Sequence, residues 1–159
     1  MTEQPTHQLY LTELPVGVLT LLANDNAITG IGFGRIENEV LNSVPNDLLL
    51  EAAHQLSQYF AGNLDQFDLP LAPSGTEFQR RVWDQLCAIP FGETRSYGAL
   101  ANAIGNPNAA RAIGMANNRN PIPILIPCHR VVGANGAMVG YAGGLNIKQA
   151  LLKLEGVLD

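Results

Sequence analysis

The chain reads as an α+β protein of two lobes. A small N-terminal α/β lobe combines an antiparallel sheet with one helix, and a mainly helical C-terminal lobe carries a winged helix-turn-helix. Three observations predict this. Strand-like runs divided by turns fill the first forty positions, apolar positions then recur at helical spacing, and a proline- and glycine-bearing joint follows the first helix. The joint, residues 62–75 with Pro70, Pro73 and Gly75, divides the chain into lobes of 1–75 and 76–159.

The N-terminal lobe opens as a β meander with strands at His7–Glu13, Val16–Ala23 and Ile28–Gly34, and turns near Pro15 and at Asp25-Asn26. A helix over about Asp47–Ala61 follows. Leu49, Ala52, Ala53, Leu56, Tyr59 and Phe60 form its apolar face, and Gly62 stops it.

Thr76 is an N-cap for a helix to about Ala88, with Phe78, Val82, Trp83 and Leu86 on one face, until Pro90-Phe91-Gly92 breaks it. Cys87 falls in that periodicity and reads as core. Ser96 caps a short helix, Tyr97–Ile104, ended by Gly105-Asn106-Pro107, and a further helix covers about Asn108–Asn118. Two short helices joined by a glycine-containing turn outline a helix-turn-helix whose second helix carries Arg111. Two short strands around Asn135-Gly136 and a capped helix over about Asn146–Glu155, ended by Gly156, complete the lobe.

The 159 residues suffice to bury a real core, and no apolar run approaches the roughly 20 residues of a membrane span. Met1-Thr2-Glu3-Gln4-Pro5 lacks the basic start and apolar block of a secretory signal, so a cytoplasmic location is expected. The net charge of -5 hides an asymmetry. Residues 1–75 carry Arg35 against nine acids, whereas residues 76–159 carry eight basic residues against five acids, giving -8 and +3. Six of those eight are arginines between Arg80 and Arg130, a distribution compatible with a modest, salt-sensitive hold on a phosphate backbone.

The most informative stretch is Pro127-Cys128-His129-Arg130, which follows the apolar run Ile122-Pro123-Ile124-Leu125-Ile126. A thiol beside an imidazole is a nucleophile beside a proton acceptor, and the prolines stiffen the chain that presents it. Cys87 and Cys128 are the two cysteines, too few for a disulfide framework. Cys-His neighbours alone favour a small buried thiol beside a surface imidazole.

Context decides. In order, Arg111-Ala112-Ile113-Gly114, Asn120-Pro121, Pro127-Cys128-His129-Arg130, Tyr141-Ala142-Gly143-Gly144 and Leu151-Leu152-x-x-Glu155-Gly156 resemble the O6-alkylguanine-DNA alkyltransferases of the bacterial single-protein type. The likeness covers about Thr76–Gly156, and the N-terminal half is similar to the family's variable lobe in its strand-then-helix order.

The resemblance implies direct, stoichiometric repair: the alkyl group of O6-alkylguanine, or of O4-alkylthymine, moves irreversibly to Cys128. His129 and Glu155 would then withdraw the thiol proton through water, Asn120 would hinge the nucleophile loop, and Tyr97 would protonate the departing guanine. Arg111 would enter duplex DNA through the minor groove and replace the flipped base. Ser96 would meet a phosphate, with Gly114 and Arg130 on the same DNA-contacting side. Pro123, Tyr141, Gly143 and Lys148 would line the alkylguanine pocket. The partner is lesion-bearing double-stranded DNA, the state a monomer, with no membrane association and no cofactor. Some relatives carry a structural zinc, but no cysteine precedes Cys87 here, so no metal is expected. Ala142, Ala150 and Leu154 depart from the family's frequent serine, tryptophan and histidine.

Thiol activation alone cannot carry such a reaction. Lowering a thiol pKa from about 8.5 by two units raises the thiolate at pH 7 roughly 25-fold, and the accompanying loss of nucleophilicity removes about 8-fold of it. Positioning and leaving-group protonation must supply the rest. Two other classes fit the sequence less well: a DNA-binding module without transfer, against which Cys128 itself argues, and a cysteine hydrolase, for which no oxyanion-hole signature appears.

Overall fold

A computed structural model describes residues 4–159 in two compact units, one ending at Ser74 and the other running Gly75–Asp159. The N-terminal reading against a secretory signal rests partly on Met1, Thr2 and Glu3, which lie outside the described residues. Among the described residues no helix is long and apolar enough to cross a membrane.

The first unit is an antiparallel sheet, β1 (His7–Leu14), β2 (Gly17–Ala23) and β3 (Ile28–Phe33), in the order β1-β2-β3. The central strand buries Leu19, Leu21 and Ala23 on one side. On the other side Thr20 is buried because its hydroxyl is fully used, donating to Gly34 O at 2.7 Å and accepting from Ile36 N at 2.9 Å. Helix α1 (Asp47–Phe60) starts at Asn46, whose side chain accepts from Leu49 N, and lays Leu49, Ala52, Leu56 and Tyr59 on the sheet. The expected linker is partly structured. Ile28 N donates to Pro70 O and Ala72 N donates to Ile28 O, so residues 70–72 run along the edge of β3.

In the second unit α2 (Glu77–Cys87) begins with a reciprocal capping box between Thr76 and Gln79. Val82, Trp83 and Leu86 face α3 (Tyr97–Ala103) and α4 (Ala110–Asn118), and the Trp83 indole donates to Ala116 O at 2.9 Å. Burying each such side chain contributes about 1.5–3 kcal/mol. Gly75 permits this packing, since a Cβ there would strike the Trp83 ring. Cys87 departs from expectation: it is exposed, because the buried side of this segment passes from Leu86 to Ile89 beyond the C-cap Ala88. Both cysteines are free thiols.

The hairpin expected around Asn135-Gly136 does not form. Asn135 and Gly136 adopt the left-handed turn conformation their identities favour, with φ of 61° and 76°, and Gly133 N closes the turn on Ala137 O. The residues flanking that turn make no ladder with one another. Instead β5 (Val131–Val132) pairs in parallel with β4 (Arg95–Ser96), and Val139 O is taken by the Lys148 amine. Helix α5 (Leu145–Leu154) also differs from expectation at its start, where Gly144 at φ 96° replaces a side-chain cap. Its end is the expected glycine stop, with Gly156 at φ 81° and Val157 N bonded to Leu152 O.

Candidate active site around Cys128

The nucleophile loop is built by short-range chemistry. Pro127, at φ -79° and ψ 64°, makes an inverse γ-turn in which Cys128 N donates to Ile126 O at 2.7 Å. A 3₁₀ turn, Cys128–Arg130, follows at once and leads into β5. Upstream, Ile122 O accepts from Ile126 N, and the reversal forces buried Ile124 to φ 74°, a costly value for a β-branched residue.

Asn120 holds this reversal together. Its amide donates to Ile126 O at 2.8 Å and its carbonyl accepts from Ile122 N at 2.9 Å, tying the end of α4 to both arms of the loop. Asn117, one turn earlier, is buried and donates to Cys128 O at 3.4 Å. Asn117 was missed in the sequence. Its signal was a polar residue four positions after Ile113, on the stripe that also holds Ala116 and Asn120.

Cys128 is buried and burial pushes its thiol up from 9.0. Hydrogen bonds from Asn120, from Tyr141 and from its own backbone, together with the positive Lys148, pull the other way without prevailing. Burial therefore favours the neutral thiol at rest. Tyr97 is half-buried and its phenol is likewise raised, by burial and then by the charge Cys128 would carry. The β4–β5 pairing places the start of α3 beside the strand that follows Cys128, and the Tyr97 ring sits over Gly114 of α4. The Cys87 thiol is exposed, and partial desolvation and the Asp84 carboxylate push it up to about 11.

Behind the nucleophile lies a buried charged cluster. His129 Nε2 is 2.7 Å from Glu155 Oε2, and Arg130 grips the same carboxylate through Nε at 2.8 Å and Nη2 at 3.0 Å. Glu155 is the C-cap residue of α5, and the guanidinium offsets the helix-dipole penalty of an acid there. Burial keeps His129 below its usual 6.5, overriding the upward pull of Glu155, with Arg130 and Lys148 pushing it further down. The imidazole is neutral, and its Nδ1 is buried without a hydrogen-bond partner among the described residues.

Most of the expected site residues gather here: Cys128, His129, Glu155, Asn120, Tyr141 and Lys148, with Tyr97 close enough to feel the sulfur's charge. Pro123 is buried in the loop reversal, bridged to Ile126, and Gly143 lies in the turn Gly144 N closes on Tyr141 O. Arg111 is exposed on α4, and the Ser96 hydroxyl caps α3 by accepting from Ala99 N while keeping its own proton to donate.

Two of the expected site residues are buried cations with their donors committed. Arg130 is buried rather than exposed, because Glu155 and Ile89 O consume its donors. Lys148 is buried, and its amine donates to Val131 O at 2.6 Å and Val139 O at 3.0 Å.

Two family models cover nearly the whole chain. The DNA-binding domain of 6-O-methylguanine DNA methyltransferase matches residues 77–157, and the ribonuclease-like domain of the same methyltransferase matches residues 8–73. The chain is 54% identical over 148 residues to a methylated-DNA–protein-cysteine methyltransferase of Methanosarcina acetivorans, covering 91% of this chain and 95% of that one. It is 49% identical to the enzyme of that name from Mycobacterium leprae, covering 89% and 87%. Among solved structures it is similar to Mycobacterium tuberculosis OGT in complex with DNA, at a TM-score of 0.87 and 46% identity, over 94% of this chain and 92% of that one. With a buried thiol, a histidine–glutamate pair and these matches in one frame, the chain belongs to the 6-O-methylguanine DNA methyltransferase family.

Proposed function

We propose that this protein repairs DNA by moving the alkyl group of O6-alkylguanine directly to Cys128. The observation that carries the reading is the buried Cys128 thiol, held by Asn120 and Tyr141 and adjoined by a neutral His129 paired to Glu155. Its DNA partner follows from the family and from the DNA complex of the Mycobacterium tuberculosis relative.

The reaction is an in-line displacement at the alkyl carbon: the S–C bond forms as the C–O6 bond breaks. A resting thiol cannot do this, so its proton leaves as the substrate engages. His129 Nδ1 is the acceptor, through one bridging water, and Glu155 holds the imidazolium that results. Tyr97, a raised and therefore protonated phenol, donates to the departing guanine. Pro123, Tyr141 and Gly143 bound the alkyl pocket, with Lys148 supporting Val131 and Val139 from behind. A thioether is not a leaving group under these conditions, so one molecule removes one lesion. The same geometry extends to O4-alkylthymine.

On the DNA side, α3 and α4 act as the helix-turn-helix. Exposed Arg111 enters the minor groove and fills the space of the flipped base, while the Ser96 hydroxyl meets a phosphate. The buried guanidinium of Arg130 is left out of this interface. A single chain carries every residue of the site, so the protein works as a monomer. Reduced Cys128 suits the cytoplasm.

The test is to count guanine restored in a duplex holding O6-methylguanine. Restored guanine should rise with protein and stop at one lesion per molecule. Repeated turnover, or binding without restored guanine, would refute the reading.

A further inference from the structure

Arg130 is more specifically engaged than packing requires. Its side chain is buried, and three donors are committed: Nε to Glu155 Oε1, Nη2 to Glu155 Oε2 and Nη1 to Ile89 O at 2.6 Å, with the Phe91 ring 6.0 Å from the guanidinium carbon. The carboxylate oxygen met by Nη2 is the one that faces His129 Nε2. Lys148, the other buried cation on this side, is occupied by the carbonyls of Val131 and Val139.

That geometry bears on where the histidine proton sits. An ionised carboxylate only accepts, so it obliges Nε2 to be the donor and leaves Nδ1 bare. Without a cation beside it, buried Glu155 has two ways to shed its charge. It can take a proton and donate to Nε2, which moves the histidine proton to Nδ1, or it can take an imidazolium as its partner. In both cases Nδ1 carries a proton and cannot accept another. We propose that Arg130 is a positioning residue for transfer: its two-point grip keeps Glu155 an acceptor, and so keeps His129 Nδ1 open to the Cys128 proton.

The titratable groups facing His129 and the thiol agree with this assignment. From the 3₁₀ turn come Cys128 and Arg130, from α5 Lys148 and Glu155, from α3 Tyr97 and from the following loop Tyr141, while on α2 Asp84 and Cys87 interact with each other and Cys87 feels Arg130. Glu155 alone pulls His129 towards protonation, and Arg130 opposes it.

The inference rests on the transfer reading for its effect on rate, but the proton placement is measured without DNA. Histidine nitrogen NMR of the wild-type protein should show a neutral His129 protonated on Nε2 at pH 7 and remaining so below the usual histidine range. Arg130→Met should protonate Nδ1 and slow methyl transfer about 100-fold, the scale of a lost general base. If its histidine has become cationic, the rate should recover as pH rises. Arg130→Lys, which restores a cation, should return the bare Nδ1 and most of the rate. A wild-type His129 already protonated on Nδ1 would overturn the proposal even if Arg130→Met fails to fold. So would a folded Arg130→Met with unchanged tautomer and pH profile. Absence of transfer by the wild-type protein would refute the repair reading and leave the proton placement standing.

Discussion

The Asn120 side-chain amide lies 2.8 Å from Ile126 O, and its carbonyl lies 2.9 Å from Ile122 N. One side chain thus closes the reversal that presents Cys128, and both bonds are buried. The clamp adds to the Ile126 N–Ile122 O bond that closes the reversal and holds Ile124 at φ 74°. Asn120→Ala should destabilise the protein by about 2–4 kcal/mol, since two buried polar groups lose their partners. It should also slow transfer by at least about 100-fold, because a sulfur displaced by about 1 Å loses its line of attack. Urea denaturation and single-turnover kinetics give the two quantities separately.

Tyr141 acts on the sulfur itself. Its hydroxyl is among the groups that pull the Cys128 thiol down against burial. Tyr141→Phe should raise that thiol further and slow its reaction with a small alkylating agent by about 5-fold at pH 7.5, the worth of a hydrogen bond near 1 kcal/mol. The pH dependence of Cys128 modification, read by peptide mass so that Cys87 is scored apart, checks it.

Arg111 offers a test of DNA handling apart from chemistry. It is exposed on α4 and makes no part of the cluster behind Cys128. Arg111→Ala should therefore reduce transfer from a lesion in duplex DNA about 10-fold or more while leaving transfer from a free O6-alkylguanine base unchanged. Equal losses on both substrates would remove Arg111 from the DNA role.

Stability should fall on both sides of neutrality. His129 is held below 6.5 in the folded protein, so as pH drops below about 6.5 the unfolded chain binds a proton that the native one refuses, and stability declines. Cys128 is held above 9.0, so stability declines again above about pH 9, where the unfolded thiol ionises and the native one does not. Urea midpoints at about pH 5.5, 7.5 and 10 should trace this dome. The acid limb should flatten in His129→Gln and the alkaline limb in Cys128→Ser.

Where local chemistry determines structure, the sequence was legible. Thr76 and Gln79 form the capping box that opens α2, Ser96 caps α3, and Gly156 ends α5. His129 and Glu155 meet at 2.7 Å beside Cys128. What stayed hidden depends on partners far apart in sequence. Arginine at 130 looks like a surface charge until Glu155, 25 residues on, is folded against it. Asn135-Gly136 shows its turn, but whether strands flank it is decided by Arg95–Ser96 pairing with Val131–Val132 and by Lys148 taking Val139 O. Cys87 obeys helical spacing, yet Ile89 takes the buried position.

The central claim is that Cys128 keeps the alkyl group, and the mass of the protein tests it most directly. After reaction with an O6-methylguanine duplex, one adduct of about 14 Da should appear, map to the Cys128 peptide, never exceed one per molecule and be absent from Cys128→Ser. An unshifted mass after the lesion has been repaired, or an adduct on Cys87, would contradict it.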